Sequence, residues 1–320
     1  MLTRLIALAA AIISAAAVAV ACTALHPAAR PPAAATVPPP AAAPAALPGP
    51  AAGIVTDDLA RFDAACSCRP AVAVAYVRWG TPPDPAWLRA MQAAGSVPLV
   101  ELEPYGTTAA AITAGRSDGW LSRWARAVGG LGGLVLASFA PEPNTRSYPW
   151  GYGHAAPAAY TAALRHVVSV FRRAGAARVQ WAWIVNAASR DTAPLSPLWP
   201  GAGYMSYAGI DGYATRGSAT FAGLFGTTIS QVRSITRVPV LITETAADPA
   251  AGQARWIAQL AAGVRAYRLA GFVWFDIDQT GGHDPGAPRG NRHDWALTGA
   301  ALAAYARTAG SRMMMNPPHR

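Results

Sequence analysis

The stretch LVLASFAPEPNTRSYPWGYGHAAPAAYTAALRHVVSVFRRAGAARVQWAWIVN (134–186) decides the fold. It opens on a short apolar run, LVLASF (134–139). An Ala- and Arg-rich segment follows, in which Tyr160, Leu164, Val167, Val168 and Phe171 recur at i, i+4, i+7, i+8 and i+11. That spacing puts them on one face of a helix. The segment ends at Gly175, a helix-stop signal, and a second apolar run begins, RVQWAWI (178–184). Strands that are apolar nearly throughout, joined by a helix, are the pattern of a parallel sheet buried on both faces.

The same alternation extends in both directions. Upstream lie GIV (53–55), AVAVAYV (71–77) and VPLVEL (97–102); downstream lie YAGIDGY (207–213), VPVLITE (238–244) and GFVWFDI (271–277). Between them stand helix-like segments such as DPAWLRAMQAAG, DGWLSRWARAVGG and QARWIAQLAAGVRAYRLAG. Eight strands with helical connectors in roughly 255 residues fit the α/β class and a (β/α)8 TIM barrel. A doubly wound open sheet is the competing architecture. It would carry a Gly-rich nucleotide loop after its first strand, and none follows GIV. No internal repeat is present.

The ends of the chain read differently. MLTR, then LIALAAAIISAAAVAVA, then Cys22 is a basic, apolar and small-residue series of the kind that directs export; residues 1–21 are read as a signal peptide. Ala19-Val20-Ala21 before Cys22 suits plain cleavage and equally a lipobox, in which case a lipidated Cys22 would tether the chain to a membrane. Residues 22–52 are dominated by Ala and Pro, too poor to build a core and stiffened by proline; they are read as a spacer. The catalytic domain is expected over 53–310, with a tail at 311–320. A secreted or cell-surface monomer is the expected state.

The net charge is +10 and the chain has no lysine. Such a basic balance suits an acidic envelope or polymer. No arginine run is interleaved with aromatics, so a nucleic-acid partner is not expected. After Cys22 only Cys66 and Cys68 remain, and an exported chain could join them in a very tight disulfide loop. Four well-spaced zinc ligands are missing, and neither a metal nor a cofactor is expected.

In a barrel of this kind chemistry collects where strands end, and the polar residues collect there too. The fourth strand runs into Glu142 and Asn144, the fifth into Asn186, the sixth into Asp211 and Tyr213, the seventh into Glu244 and the eighth into Asp276 and Asp278. The third carries Glu101 and Glu103. Carboxylates ending two separate strands suit cleavage of a glycosidic bond. One protonates the leaving oxygen and the other attacks the anomeric carbon, with a separation of about 5–5.5 Å giving retention. Glu142 is the candidate acid/base and Glu244 the candidate nucleophile. Sugar rings stack on flat apolar faces, and Trp79, Trp150, Trp183 and Trp274 lie at or just after strand ends. Glu101, Asn144, Asn186, Tyr213 and Asp276 complete the candidate substrate-binding set.

These segments carry a family resemblance. FAPEPNTRSYPWG (139–151) resembles the acid/base segment of glycoside hydrolase family 26, approximately R-x-x-H-E-x-N-x-x-W-Y-P-W, with Glu142, Asn144, Tyr148, Pro149 and Trp150 in matching roles. VQWAWIVNA (179–187) is similar to its W-x-x-N strand, Trp199-Pro200-Gly201 followed by IDGY (210–213) to its sixth-strand segment, and PVLITET (239–245) to its nucleophile strand. VWFD (273–276), followed by DW (294–295), resembles its closing strand and loop. The resemblance implies a (β/α)8 barrel with the acid on strand four and the nucleophile on strand seven, the positions that strand counting gives independently. It further implies that Tyr213 hydrogen-bonds the nucleophile, that Trp274 is part of the sugar platform, and that the substrate is a β-mannan or β-glucan type polysaccharide. One departure matters: the residue before the acid is commonly His in that family and is Pro141 here, with no polar side chain to read the sugar.

Two other functions fit the same residues. A non-catalytic carbohydrate-binding protein on the same barrel would explain Pro141. A metal-dependent hydrolase would use Asp276, Asp278, His283, Asp284, His293 and Asp294, residue types that bind metals, although their spacing matches no metal motif.

Overall fold

The computed structural model describes residues 46–47, 49–280 and 293–310. The elements follow in the order β1 (Ala51–Val55), α1 (Leu59–Cys66), β2 (Val72–Arg78), α2 (Pro85–Ala93), β3 (Val97–Glu103), α3 (Ala109–Thr113), α4 (Asp118–Gly129), β4 (Leu136–Phe139), α5 (Pro157–Arg173), β5 (Gln180–Asn186), β6 (Tyr207–Asp211), α6 (Phe221–Ile235), β7 (Val240–Thr245), α7 (Gln253–Ala266), β8 (Gly271–Phe275) and α8 (Gly299–Gly310). The eight parallel strands close in sequence order into a barrel. The (β/α)8 TIM architecture read from the alternation is the one present. Its helices are distributed unevenly: two follow β3, and only a short 3-10 turn at Ser196–Leu198 separates β5 from β6.

Local chemistry explains the elements. Asp84 caps α2 by accepting from the Ala86 and Trp87 N–H groups, with Pro85 in the first turn. On α5 the face formed by Tyr160, Leu164, Val167, Val168 and Phe171 is buried, as the spacing requires. Closure falls between β8 and β1, where Ala51 through Val55 pair with Gly271 through Phe275. Gly271 takes φ +145, and a Cβ there would meet the Ala51 carbonyl oxygen at 2.0 Å, so only glycine lets the last strand approach the first. From the C-terminal helix, Tyr305 donates its hydroxyl to the Gly53 carbonyl at 2.8 Å.

The barrel begins earlier than the sequence suggests. Ala51 and Ala52 belong to β1, and Leu47 is buried with its N–H donated to the Tyr207 hydroxyl at 3.1 Å. Leu47 and residues 51–52 therefore join the fold rather than a spacer, because β1 is flanked on both sides and its alanines are buried there. The signal peptide at 1–21, Cys22, most of the spacer and the tail at 311–320 lie outside the described residues. Among the described residues, no helix is long and apolar enough to cross a membrane. Cys66 and Cys68 are joined by a disulfide at the end of α1, with Ser67 between them in the left-handed region at φ 51.

Candidate active site

The chain leaves β4 along a backbone that turns sharply. Ala140 and Glu142 both adopt left-handed φ values, 51° and 53°. A non-glycine residue held there costs of order 1–3 kcal/mol and persists only when its surroundings over-determine it. Those surroundings are visible. The Ala140 N–H donates to the Leu102 carbonyl on β3 at 2.9 Å and the Glu142 N–H to the Ile184 carbonyl on β5 at 3.0 Å. Trp150 donates its indole N–H to the Pro141 carbonyl at 2.7 Å, and its ring stacks on Tyr148 at 4.8 Å. Asn144, fully buried, pairs with the backbone of Asn186 in both directions, donating to its carbonyl at 2.9 Å and accepting from its N–H at 2.8 Å.

Asn186, fixed in this way, donates its side-chain N–H to Glu142 Oε1 at 2.6 Å. Glu142 is buried, and burial is the main cause that pushes its pKa up to about 8. The charge of Glu244 raises it further, and the Asn186 hydrogen bond pulls it back. At neutral pH Glu142 is a carboxylic acid with a proton to give, the state a general acid requires.

Glu244 is positioned by a defect in the sheet. Between Ile242 and Thr245, β7 spends one residue more than β8, and it does the same against β6 between Ile210 and Asp211. Such a bulge re-aims the following side chain and recurs beside active sites. Glu244 accepts from Tyr213 at Oε2, 2.5 Å away, and from the Tyr76 hydroxyl at Oε1. Two phenols thus hold the two carboxylate oxygens. Burial and the neighbouring Glu244 raise the pKa of both tyrosines, so each keeps its proton as a donor.

Two further carboxyls lie below. Asp211 accepts from the Thr243 hydroxyl at 2.6 Å, and burial, followed by the neighbouring Glu244, raises its pKa well above the usual range. Glu101 is 0% exposed, and neither of its oxygens nor the Ser138 hydroxyl has a hydrogen-bond partner within 3.5 Å. Burial, Glu244, Glu103 and Glu142 raise the pKa of Glu101 in that order. Ser138 sits beside it in register and opposes the shift. Glu101 is therefore a neutral acid in the barrel interior, not a group in contact with substrate.

The structure corrects the aromatic set. Trp274 is 0% exposed and donates its N–H to the Trp295 carbonyl at 2.9 Å; it packs the wall and offers no platform. Trp183 is likewise fully buried, edge-on to Trp199. Trp79 packs on Trp120 of α4 at 4.4 Å and bonds Ser117. The reason is parity. Side chains alternate across a strand, so Trp183, three positions before Asn186, faces the helices, as does Trp79, three after Tyr76. Trp150 is buried too and serves the loop that carries Glu142. Asp276 accepts from the Leu297 N–H at 2.6 Å, a link between loop and barrel, and burial pushes its pKa up to about 6.

The described acidic residues after β8 are bonded in place in the same way. Asp278 accepts from Thr280, Asp294 from the Ala296 N–H, and His293 contacts Asp248 at 3.0 Å. His283 and Asp284 lie outside the described residues. Among the described residues, no group of three His, Cys, Asp or Glu side chains is arranged to hold a metal ion.

Reading the sequence missed Tyr76 altogether and gave Tyr148 and Trp295 only as parts of the family resemblance, without their contacts. Tyr76 touches Glu244. Tyr148, half-buried, has its hydroxyl desolvated beside Glu142 and Glu244. Trp295 tilts against Tyr213 at 5.1 Å and bonds Gln279. Only the two-residue spacing of Tyr76 from Arg78 and Val74 hinted at its face.

No protein-family model matches the chain. Endoglucanase H of Acetivibrio thermocellus is 29% identical over 258 residues, which are 74% of this chain and 27% of that protein. The chain thus spans about a quarter of that relative's length. Among solved structures, an endo-β-1,4-mannanase of Cellulomonas fimi superposes with a TM-score of 0.63 at 16% identity, over 83% of this chain and 71% of that one. A family 26 β-mannanase of Bacteroides ovatus superposes with a TM-score of 0.61 at 16% identity, over 83% and 90%. The resemblance to glycoside hydrolase family 26 read from the motifs is therefore matched in the fold.

Proposed function

We propose that the chain is an exported, retaining glycoside hydrolase that cleaves β-linked polysaccharide of the β-glucan or β-mannan type. The observation that carries the reading is the unlike treatment of two glutamates at the ends of β4 and β7. Glu142 is buried and keeps a proton, while Glu244 accepts two phenolic hydrogen bonds that favour its ionised form.

Glu142 protonates the glycosidic oxygen as Glu244 attacks the anomeric carbon. A water then attacks the glycosyl ester, passing its proton to Glu142, and Glu244 leaves as carboxylate. Loss of the Glu244 charge in the ester removes one of the causes that raise the Glu142 pKa, so the acid becomes a base when the second step needs one. Asn144, Asn186 and Trp150 hold Glu142 in place, and Tyr213 and Tyr76 hold Glu244. Endoglucanase H supports a β-glucan and the two mannanases a β-mannan. Pro141 spends its carbonyl on Trp150 and gives the sugar no side-chain contact, which leaves the choice to other residues. The basic-then-apolar start of the chain supports export, with Cys22 as a candidate lipid tether.

The test is a panel of mannans, mixed-linkage glucans and xylans, with and without EDTA. Sugar release abolished by Glu142→Gln and by Glu244→Gln, and indifferent to EDTA, is expected. Full activity in either variant refutes the assignment. Binding without release favours a carbohydrate-binding protein, and loss on chelation favours metal-dependent hydrolysis.

A further inference from the structure

We propose that Tyr76 is a catalytic residue whose hydroxyl passes from the nucleophile to the sugar and back during each turnover. This rests on Glu244 being the nucleophile. Both oxygens of that carboxylate are capped by phenols, yet one of them must form the bond to the anomeric carbon.

The two caps are unlike. The Tyr213 ring is wedged between Phe275 at 5.8 Å and Trp295 at 5.1 Å. The Tyr76 ring is 39% exposed and makes no ring contact with any described residue. The cap that can yield is Tyr76, so Oε1 is the attacking oxygen and Oε2 stays on Tyr213.

The chemistry then follows from what an ester can accept. When Oε1 bonds to the anomeric carbon and the leaving oxygen departs with the Glu142 proton, Oε1 loses its charge and most of its strength as an acceptor. Tyr76 keeps its own proton throughout. Burial of its hydroxyl, followed by the charge of Glu244, holds that proton on. A desolvated donor left without an acceptor is costly, and the acceptors now beside it are the ring oxygen and the C2 substituent of the bound sugar. When water cleaves the ester, its proton goes to Glu142, Oε1 regains its charge, and Tyr76 returns to it. Tyr76 is thereby placed to sense the configuration at C2, a reading that Pro141 does not supply.

Tyr76→Phe in the full chain tests this. The probes are dinitrophenyl β-cellobioside and β-mannobioside. Loss of a hydrogen bond to a charged acceptor should raise the acidic limb of kcat/KM by about one pH unit. It should also lower kcat/KM by about ten- to a hundredfold, narrowing the preference between the two sugars. The melting temperature should stay within about 3 °C, because a single oxygen is removed and the ring keeps its place. A 2-fluoro glycosyl fluoride that still labels the variant shows its site to be assembled. An unmoved acidic limb with rates within threefold of wild type overturns the role of Tyr76. Failure of the wild type to be labelled at Glu244 overturns the underlying reading instead.

Discussion

Asn186→Ala isolates the one hydrogen bond that tunes the acid. Asn186 donates to Glu142 Oε1 at 2.6 Å and pulls its pKa down from the value that burial and Glu244 would otherwise set. A donor favours the ionised carboxylate, so its removal favours the protonated form and raises the pKa. A hydrogen bond to a charged group is worth about 1.5–3 kcal/mol, and one pKa unit is about 1.4 kcal/mol. The full effect would be one to two units, and water entering the gap reduces it to about one. The alkaline limb of kcat/KM, which reports the acid in the free enzyme, should move from near 8 to near 9. The rate at neutral pH should fall about tenfold, because the acid is still protonated but no longer aimed. Fold stability should change by only about 1 kcal/mol, since the Asn186 backbone remains tied to Asn144. An alkaline limb that stays near 8, or shifts to lower pH, would mean that Asn186 does not set the state of Glu142.

Three further outcomes follow from the same contacts. Asn144→Ala strands a buried N–H and carbonyl of Asn186 and should cost about 2–3 kcal/mol, read as a fall in Tm of roughly 5–10 °C together with a lower kcat. Trp274→Phe should cost about 2 kcal/mol in stability and leave KM within twofold; a tenfold rise in KM at unchanged Tm would restore that residue to the sugar platform. Glu101→Gln should flatten the dependence of stability on pH. The folded state holds the Glu101 proton more tightly than the unfolded chain does, so its contribution is intact below about pH 4.5 and is lost as pH rises toward the folded pKa, by at most about 1.4 kcal/mol per unit. Thermal melts from pH 4 to 8 should show the Gln variant gaining on wild type with pH, and parallel curves would contradict a neutral buried Glu101.

The strands were legible because strands buried on both faces are written as apolar runs, and each of the eight runs lies at an observed strand. The two glutamates were legible because a carboxylate at the end of such a run has few other reasons to be there. What stayed hidden was the face. In RVQWAWIVN nothing apolar marks which residues point inward; place along the strand puts the tryptophans near the cleft, and parity turns Trp183 to the helices. Tyr76 was hidden by the same uniformity, as one more large residue in AVAVAYV. The bulge in β7 was also invisible, because an inserted residue leaves no compositional trace when its neighbours are threonine and glutamate.

The reaction itself gives the most direct test. A 2-fluoro β-glycosyl fluoride traps the glycosyl ester of a retaining enzyme, and peptide mass mapping locates it. One glycosyl unit on the peptide carrying Glu244, with NMR showing the β-anomer as first product from a hydrolysed β-glucan or β-mannan, is the expected result. An adduct on any other residue, or the α-anomer as first product, would contradict the assignment of Glu142 as acid and Glu244 as nucleophile.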